Sequence, residues 1–237
     1  RKLLINKNVD MLLVGTWKER IKKETFNIPK IGTINAHPSL LPKYRGPNPY
    51  LQTILHGEEK SGVTFHLMTE KFDAGAILDQ RTVEISDSDT GKELKAKTVL
   101  TARGAICELL EKLSEDVIFP IAQNESKATY FSTDFDNEIS FTETAKNISA
   151  KIRCINPWSY TYFFFDKYVF VPNPYKITIM ENTTNFNSVG QLVDIDTKDN
   201  SLTFITGDNK LIRLGDVKLY GAINQFFTKF ILKKLSI

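Results

Sequence analysis

The sequence contains few of the residues that metal sites and disulfide frameworks require. Its 237 residues include only 2 cysteines and 3 histidines. Cys107 and Cys154 lack the spacing of a metal-ligand motif, and both lie in segments with an apolar pattern. We therefore expect reduced, buried thiols in a cytoplasmic protein, and no bound metal.

Long apolar runs and a targeting leader are also absent. No stretch reaches the roughly 18 consecutive apolar residues that indicate a transmembrane helix. The first seven residues include neither a Met nor the apolar core of a signal peptide. We therefore expect no membrane partner, and we interpret Arg1 as an interior point of a longer protein.

No single sign of charge dominates the chain. The net charge of +3 permits nucleic-acid binding without arguing for it. Residues 151–237 hold 11 Lys and Arg against 7 Asp and Glu, which is a weak basic bias. A hydrophobic content of 41% is enough for one large core or two modest ones.

The first half of the chain has the alternating pattern of an α/β fold. Val9 to Val14 predicts a buried parallel strand, and Lys18 to Glu24 predicts a short helix. Three further strands are predicted near residues 32–37, 63–68 and 76–85. After a capping box at Thr90 and Glu93, helical spacing predicts a long helix that covers the sheet. Its apolar stripe consists of Leu94, Val99, Ala102, Ile106, Leu109 and Leu113.

The second half of the chain has a different pattern. Residues 119–137 lose all periodicity and predict a linker between a domain at residues 1–118 and a second domain at residues 138–237. In the second domain, a helix over Thr142 to Ile155 precedes short aromatic and β-branched runs with regular turns. This arrangement predicts a small β-barrel.

The most informative stretch is Thr33 to Gly46. Because strand side chains alternate between faces, Asn35 and His37 lie on one side of their strand, and Pro38 and Pro42 end it. Open α/β sheets bind their ligands at this end of a strand. Considered singly, a histidine here is more often structural, and an asparagine usually forms a turn.

Two further positions follow the next strand. Asp73 lies in a turn, where Gly75 is free to adopt a positive φ. His66, on the strand before this turn, is interpreted as an outer-face residue, and contact with the substrate is the alternative.

Three motifs together resemble one family. Asn35-x-His37-x-Ser-Leu-Leu-Pro-x-Tyr-Arg-Gly46, Gly62-Val-Thr64 and Asp73-Ala-Gly75 are similar to the formyltransferases that use 10-formyltetrahydrofolate, in particular those acting on methionyl-tRNA. The second half is also similar, through residues 152–158 and the hairpin at 206–219. The N-terminal strands of the family have no counterpart in this sequence.

The resemblance implies the fold and the activity. It implies a partial Rossmann-like formyltransferase domain followed by a small OB-like β-barrel. The implied reaction transfers a formyl group from 10-formyltetrahydrofolate, a co-substrate, to the α-amine of initiator methionyl-tRNA during translation initiation. The Pro47-Asn48-Pro49 run departs from the family and leaves a nucleotide-linked amino sugar open as the acceptor. A non-catalytic fragment or RNA-binding module is the alternative of another class.

The resemblance also implies the site residues. Asn35, His37 and Asp73 would be catalytic: the amide would donate to the formyl oxygen, the imidazole would stabilise the same charge, and the carboxylate would orient the imidazole or relay a proton. Folate contacts are implied for Gly15, Thr16, Trp17, Ser39, Leu40, Leu41 and Pro42. Acceptor contacts are implied for Lys43, Arg45, Gly46, Arg153, Lys210 and Arg213.

Overall fold

The computed structural model describes residues 1–17, 19–115, 117, 119–183, 185, 188–221 and 225–235. The chain divides into two compact units. Unit 1 comprises residues 1–53, 58–87 and 93–134, and unit 2 comprises residues 54–57, 88–92 and 135–237. Each unit has a hydrophobic core of its own.

Unit 1 contains a four-stranded mixed sheet with the order β1-β2-β3-β4. The strands are β1 (Met11–Gly15), β2 (Gly32–His37), β3 (Lys60–Leu67) and β4 (Ile77–Glu84), and the helices are α1 (Lys2–Asn6), α2 (Lys23–Phe26), α3 (Pro49–Leu55) and α4 (Gly91–Ser114). The strand β2 pairs parallel with β1 and antiparallel with β3, and β3 pairs antiparallel with β4. The predicted α/β class is confirmed.

Two elements at the start of unit 1 differ from the prediction. The strand β1 is only half-buried, with Leu13 37% exposed, because β1 is the outermost strand of the described sheet. The helix predicted from Lys18 begins only at Lys23, and Lys18 itself lies outside the described residues. This segment is mostly charged, with Ile21 as its single apolar residue, so it has no apolar stripe to bury against the sheet.

The core of unit 1 lies between the sheet and α4. Ile34, Val63 and Phe65 from β2 and β3 pack with Ala105 and Leu109 from α4. All five side chains are at most 4% exposed. This burial fixes which face of β2 points away from the core, and Asn35 and His37 occupy that opposite face.

The helix α4 begins as predicted but covers the sheet with a narrower stripe. The Thr90 hydroxyl accepts a hydrogen bond from the Lys92 amide at 3.2 Å, and Leu94 is fully buried. Val99 is 47% exposed, and Cys107 is exposed as well. The prediction that these two side chains are buried was wrong, because both line an open cavity between α4 and the sheet.

The resemblance implied a small OB-like β-barrel, and unit 2 is an antiparallel β domain with two sheets. Its elements are α5 (Ala145–Cys154), β5 (Phe163–Phe165), β6 (Tyr168–Val171), β7 (Ile177–Glu181), β8 (Leu192–Asp196), β9 (Ser201–Ile205), β10 (Lys210–Leu214), β11 (Lys218–Leu219) and α6 (Gln225–Leu235). The strands form one sheet of order β7-β10-β9-β8 and another of order β11-β6-β5.

Aromatic packing and a helix cap organise unit 2. Phe163, Phe170 and Phe204 are at most 1% exposed and pack ring against ring in its core. The helix α5 begins three residues later than predicted, because the Thr144 hydroxyl accepts from the Asn147 amide at 3.2 Å and so caps the helix there.

Residues 119–134 belong to unit 1 rather than standing apart from it. Ile121 and Ile77 exchange two backbone hydrogen bonds of 2.8 Å. Further along, a short 3-10 turn at Glu125–Lys127 precedes backbone contacts with the loop after β2. The predicted linker thus forms part of unit 1, because specific hydrogen bonds hold this aperiodic segment against it.

Of the helices that the structure describes, none has the length and apolar character needed to cross a membrane.

Candidate active site

Strand pairing brings polar side chains together at the end of β2. Asn35 lies opposite His66 on β3, and His37 lies opposite Thr64. Side chains of directly opposed residues stand on the same face of a sheet. The register therefore places His66, interpreted from the sequence as an outer-face residue, beside Asn35. It is 2% exposed, so that interpretation was wrong.

Asp73 approaches this face from the turn between β3 and β4. Its backbone has φ of +50°, and its Oδ2 accepts a hydrogen bond from the Gly46 amide at 2.8 Å. The predicted positive φ therefore occurs at Asp73 instead of Gly75. Gly75 is required for another reason: a Cβ there would lie 1.7 Å from the carbonyl oxygen of Leu67.

Four polar side chains meet at this point. Asn35 Nδ2 lies 3.2 Å from His66 Nε2 and 3.4 Å from Asp73 Oδ1. His37 Nδ1 and His66 Nε2 each lie 3.6 Å from Asp73 Oδ1. The structure thus brings the three predicted catalytic residues together and adds His66 to them.

Contacts with backbone carbonyls show which nitrogen of each imidazole carries a hydrogen. His37 Nε2 lies 2.8 Å from the Tyr44 carbonyl and His66 Nδ1 lies 2.9 Å from the Leu67 carbonyl. Because a carbonyl oxygen only accepts, both of these nitrogens carry hydrogen. His66 Nε2 is then an acceptor for the Asn35 amide, and the titrating nitrogen of His37 is Nδ1, which faces Asp73.

The environment shifts the pKa values of His37 and Asp73. Burial lowers the pKa of His37 below its usual value, although the Asp73 carboxylate opposes this effect. Burial by itself would raise the pKa of Asp73, but His66, His37 and the Gly46 amide together lower it to about 2. At neutral pH the site therefore holds a neutral imidazole beside a carboxylate.

A cavity opens onto this cluster. It has a volume of about 470 Å³ and is lined by Asn35, His66 and Asp73 together with Trp17 and Phe72. A volume of several hundred Å³ with a few convergent polar groups is typical of a small-molecule site. Charged residues also line this cavity, namely Glu19, Arg20, Lys22, Lys23, Glu24 and Glu70.

Sequence comparison identifies the family of the chain. A family model described as Formyl transferase matches residues 1–110, and a second, described as Formyl transferase, C-terminal domain, matches residues 132–230. Together the two models match most of the chain. The chain belongs to the formyltransferase family.

Two curated formyltransferases show the similarity in sequence. The methionyl-tRNA formyltransferase of Ehrlichia ruminantium (strain Welgevonden) is 38% identical over 156 residues, which are 66% of this chain and 51% of that protein. The methionyl-tRNA formyltransferase of Staphylococcus aureus (strain JH1) is 29% identical over 220 residues, covering 92% of this chain and 69% of that protein. The chain thus spans between half and about two thirds of the length of these relatives.

A solved formyltransferase shares the fold. The N-formyltransferase from Helicobacter canadensis, solved with folinic acid and dTDP-3-aminofucose, aligns with a TM-score of 0.67 and 24% identity, covering 85% of this chain and 71% of that one. This likeness extends through both units and supports the Rossmann-like domain followed by an antiparallel β domain.

The residues for which the resemblance implied folate contacts lie in three parts of unit 1. Trp17 lines the cavity beside Asn35, whereas Gly15 and Thr16 line a second cavity of about 530 Å³ formed with α4. In the loop after β2, Ser39 and Leu41 are buried, and the Ser39 hydroxyl donates to the Lys43 carbonyl at 2.8 Å. Leu40 and Pro42, in the same loop, are half-buried. This internal bonding gives the loop its shape.

The predicted acceptor contacts in unit 1 differ in accessibility. Lys43 is exposed and pairs with Glu58 at 3.1 Å. Gly46 lies next to the site, because its amide contacts Asp73. Arg45 is 4% exposed, so its guanidinium is turned into the protein.

The predicted acceptor contacts in unit 2 are engaged with other groups of that unit. Arg153 donates to the Asp89 carbonyl at 2.5 Å. Lys210 pairs with Glu181 at 3.2 Å. Arg213 pairs with Asp199 at 2.8 Å and with Asp196 at 3.3 Å.

Proposed function

We propose that this formyltransferase transfers a formyl group from 10-formyltetrahydrofolate to a primary amine. The observation that carries the proposal is the convergence of four polar side chains: Asn35, His66 and Asp73 line one cavity, and His37 lies behind them against Asp73. The co-substrate supplies an activated formyl group. The amine nitrogen attacks the formyl carbon, the bond from that carbon to N10 of the folate breaks, and tetrahydrofolate leaves with a proton on N10. The protein therefore has two tasks, to stabilise charge on the formyl oxygen and to move a proton from the attacking amine towards the departing N10.

Asn35 serves the first task. Its amide hydrogens point to His66 Nε2 at 3.2 Å and to Asp73 Oδ1 at 3.4 Å. The second contact is long for a hydrogen bond. A formyl oxygen that develops negative charge replaces Asp73 Oδ1 as the partner of that hydrogen, and His66 keeps the amide oriented through the other one.

His37 and Asp73 serve the second task. Because His37 Nε2 donates to the Tyr44 carbonyl, Nδ1 is the nitrogen that takes the proton of the amine. The imidazolium formed in this way lies beside Asp73, with 3.6 Å between Nδ1 and Oδ1, and the carboxylate stabilises its charge.

The favoured acceptor is the α-amine of methionyl-tRNA. This choice is supported by the curated relatives named methionyl-tRNA formyltransferase, at 29–38% identity. The second candidate is a nucleotide-linked amino sugar, which is favoured by the solved structure with dTDP-3-aminofucose and by the Pro47-Asn48-Pro49 departure. Both acceptors present a neutral amine to the same four side chains.

A paired acceptor assay tests the proposal. The full-length protein is incubated with 10-formyltetrahydrofolate and either methionyl-tRNA or a panel of nucleotide-linked amino sugars, and formylated product is quantified by mass spectrometry. We expect formyl-methionyl-tRNA as the main product. Turnover of a sugar without turnover of the tRNA would show that the acceptor is an amino sugar instead of methionyl-tRNA. The absence of product with every amine would contradict the enzymatic proposal.

A further inference from the structure

Residues 121–130 connect the two loops that shape the candidate active site. These are the β2–α3 loop, residues 38–48, and the β3–β4 loop, residues 68–76. Ile121 pairs with Ile77 just after the second loop. At the other end, the Arg45 amide donates to the Thr129 carbonyl at 2.9 Å, and the Thr129 amide donates to the Pro42 carbonyl at 3.2 Å.

Gln123 contacts both loops with one side chain. Its Nε2 donates to the carbonyl oxygens of Asp73 at 2.8 Å and of Gly75 at 2.7 Å. Its Oε1 accepts from Arg45 Nη2 at 2.7 Å and from Nε at 3.2 Å. Both amide hydrogens and the amide oxygen are therefore in use.

Arg45 completes the connection from the β2–α3 loop. Its buried guanidinium also donates to Glu125, with 2.6 Å between Nη2 and Oε1 and 3.2 Å between Nη1 and Oε2. Glu125 binds Lys71 of the β3–β4 loop as well, at 2.5 Å. A buried guanidinium requires this kind of bidentate compensation. The hydrogen bonds from Arg45 and Lys71 lower the pKa of Glu125 to about 2.

These contacts hold Asp73 at two points. Gln123 binds its backbone carbonyl, and the Gly46 amide, next to Arg45, binds its carboxylate. Asp73 has φ of +50°, a left-handed backbone region that aspartate tolerates better than most non-glycine residues and that these contacts hold in place. The orientation of the carboxylate therefore depends on the relative placement of the two loops.

We propose that Gln123 and Arg45 are positioning residues that hold the Asp73 carboxylate against His37 and Asn35, and this role rests on the formyl transfer proposed above. Neither residue lines the cavity beside Asn35, so each acts through Asp73. Glutamine is the side chain that supplies two donors to carbonyls and one acceptor to a guanidinium. Arginine supplies the planar fork that lysine lacks.

Two variants of Gln123 separate its contacts. Gln123→Glu keeps an acceptor for Arg45 but places oxygen against the carbonyls of Asp73 and Gly75. Gln123→Ala removes every contact without adding charge. Gln191, a half-buried glutamine of unit 2, receives the same two substitutions as the matched control.

The experiment measures steady-state kinetics and the pKa of the Asp73 carboxyl, the latter by carbon-13 NMR of the full-length protein. We expect both Gln123 variants to lose about 10- to 100-fold in kcat with little change in KM, because a small misplacement of a reacting group has an effect of this size. In Gln123→Ala, which adds no charge, the pKa of Asp73 should rise, because the displaced loops no longer hold the Gly46 amide against its carboxylate. Gln123→Glu also raises this pKa through its own charge, so the alanine variant decides the pKa readout. The Gln191 variants should match the wild type.

The outcomes separate this proposal from the proposed function. Unchanged kcat and unchanged Asp73 pKa would overturn the positioning role, and so would a lower kcat with an unchanged pKa, which marks a purely structural effect. If the wild type forms no formylated product, the proposed function fails and the Asp73 pKa alone decides the positioning role. Should Gln123→Ala not fold, Arg45→Lys provides the same readouts, with a rise in the Asp73 pKa expected.

Discussion

His37 shows how two ring nitrogens acquire different roles in a buried site. Its Nε2 is committed to the Tyr44 carbonyl, so only Nδ1 can exchange a proton with a ligand. Burial lowers the pKa of the ring, and the Asp73 carboxylate opposes that effect. A lowered pKa means that the neutral form of His37 persists below pH 6.5, its ordinary value. The base that we propose is therefore available throughout the neutral range.

Replacing Asp73 tests this pairing. In Asp73→Asn, the imidazolium formed during the reaction loses its counter-charge, so kcat should fall by roughly 10²–10⁴-fold. Removal of the carboxylate also lowers the pKa of His37 further, so the acid limb of kcat/KM should move to lower pH. The measurement is a pH profile of kcat/KM for both proteins. Asp10→Asn, at an exposed carboxylate paired with Lys30, is the control, and wild-type turnover by Asp73→Asn would refute the role.

At the scale of elements, the site depends on the register of β2 with β3 and on the turn that follows β3. Residues with positive φ occur in both loops around the site, with Tyr44 at +59°, Asn48 at +59° and Asp73 at +50°. Such conformations persist where surrounding contacts impose them. Gly75 allows the turn to approach β3 closely, because its missing Cβ leaves room for the Leu67 carbonyl.

Two glycine substitutions of the same kind should have opposite effects on stability. In Gly75→Ala the added methyl meets a backbone oxygen at 1.7 Å, and backbone cannot move aside as a flexible side chain does. We expect the free energy of unfolding to fall by roughly 1–3 kcal/mol, as for overpacking. Gly104 lies within α4 with no atom within 4 Å of an added Cβ, so Gly104→Ala should raise it by about 1 kcal/mol. Urea unfolding measures both, and equal effects would contradict this account.

At the scale of the whole molecule, many basic side chains form salt bridges with carboxylates, so the net charge of +3 does not measure how many of them are available to bind a ligand. Lys210 and Arg213 both pair with carboxylates of unit 2, and Lys151 is 8% exposed and donates to the Glu138 carbonyl at 2.5 Å. Contact with a tRNA phosphate therefore requires Lys210 and Arg213 to exchange one anionic partner for another. Lys218, a further basic residue of unit 2, is exposed on β11 and is more accessible than Lys151 or the half-buried Lys210.

Salt titration of tRNA binding tests the basic residues of unit 2. Each lysine or arginine that binds a phosphate contributes about one to the slope of log affinity against log salt. If Lys210 and Arg213 make such contacts, the double substitution to alanine should reduce the slope by about two. Lys30→Ala, at an exposed paired lysine of unit 1, should leave it unchanged. An affinity for tRNA that does not depend on salt would contradict the charge-based contact and favour the sugar acceptor.

The sequence by itself determined most of the strands, the long helix α4 and the chemistry of one long motif. Period-two alternation placed Asn35 and His37 on one face of β2, and helical spacing predicted α4. These patterns are local, since alternation in a strand and the stripe of a helix follow from backbone geometry. The three motifs that resemble the formyltransferases also lie within short stretches, so a single sequence was enough to read them.

Tertiary structure decided everything that depends on contacts between distant residues. His66 could not be assigned to the site from its own strand, because its place beside Asn35 follows from the register of β3 with β2. Arg45 has the chemistry of a substrate contact, yet it is buried against Gln123 and Glu125, about 80 residues away in a segment without periodicity. The proton positions on His37 depend likewise on the carbonyl of Tyr44. Pairing, burial and hydrogen bonding across such separations are set by the packing of the whole unit, so they cannot be predicted from local sequence patterns.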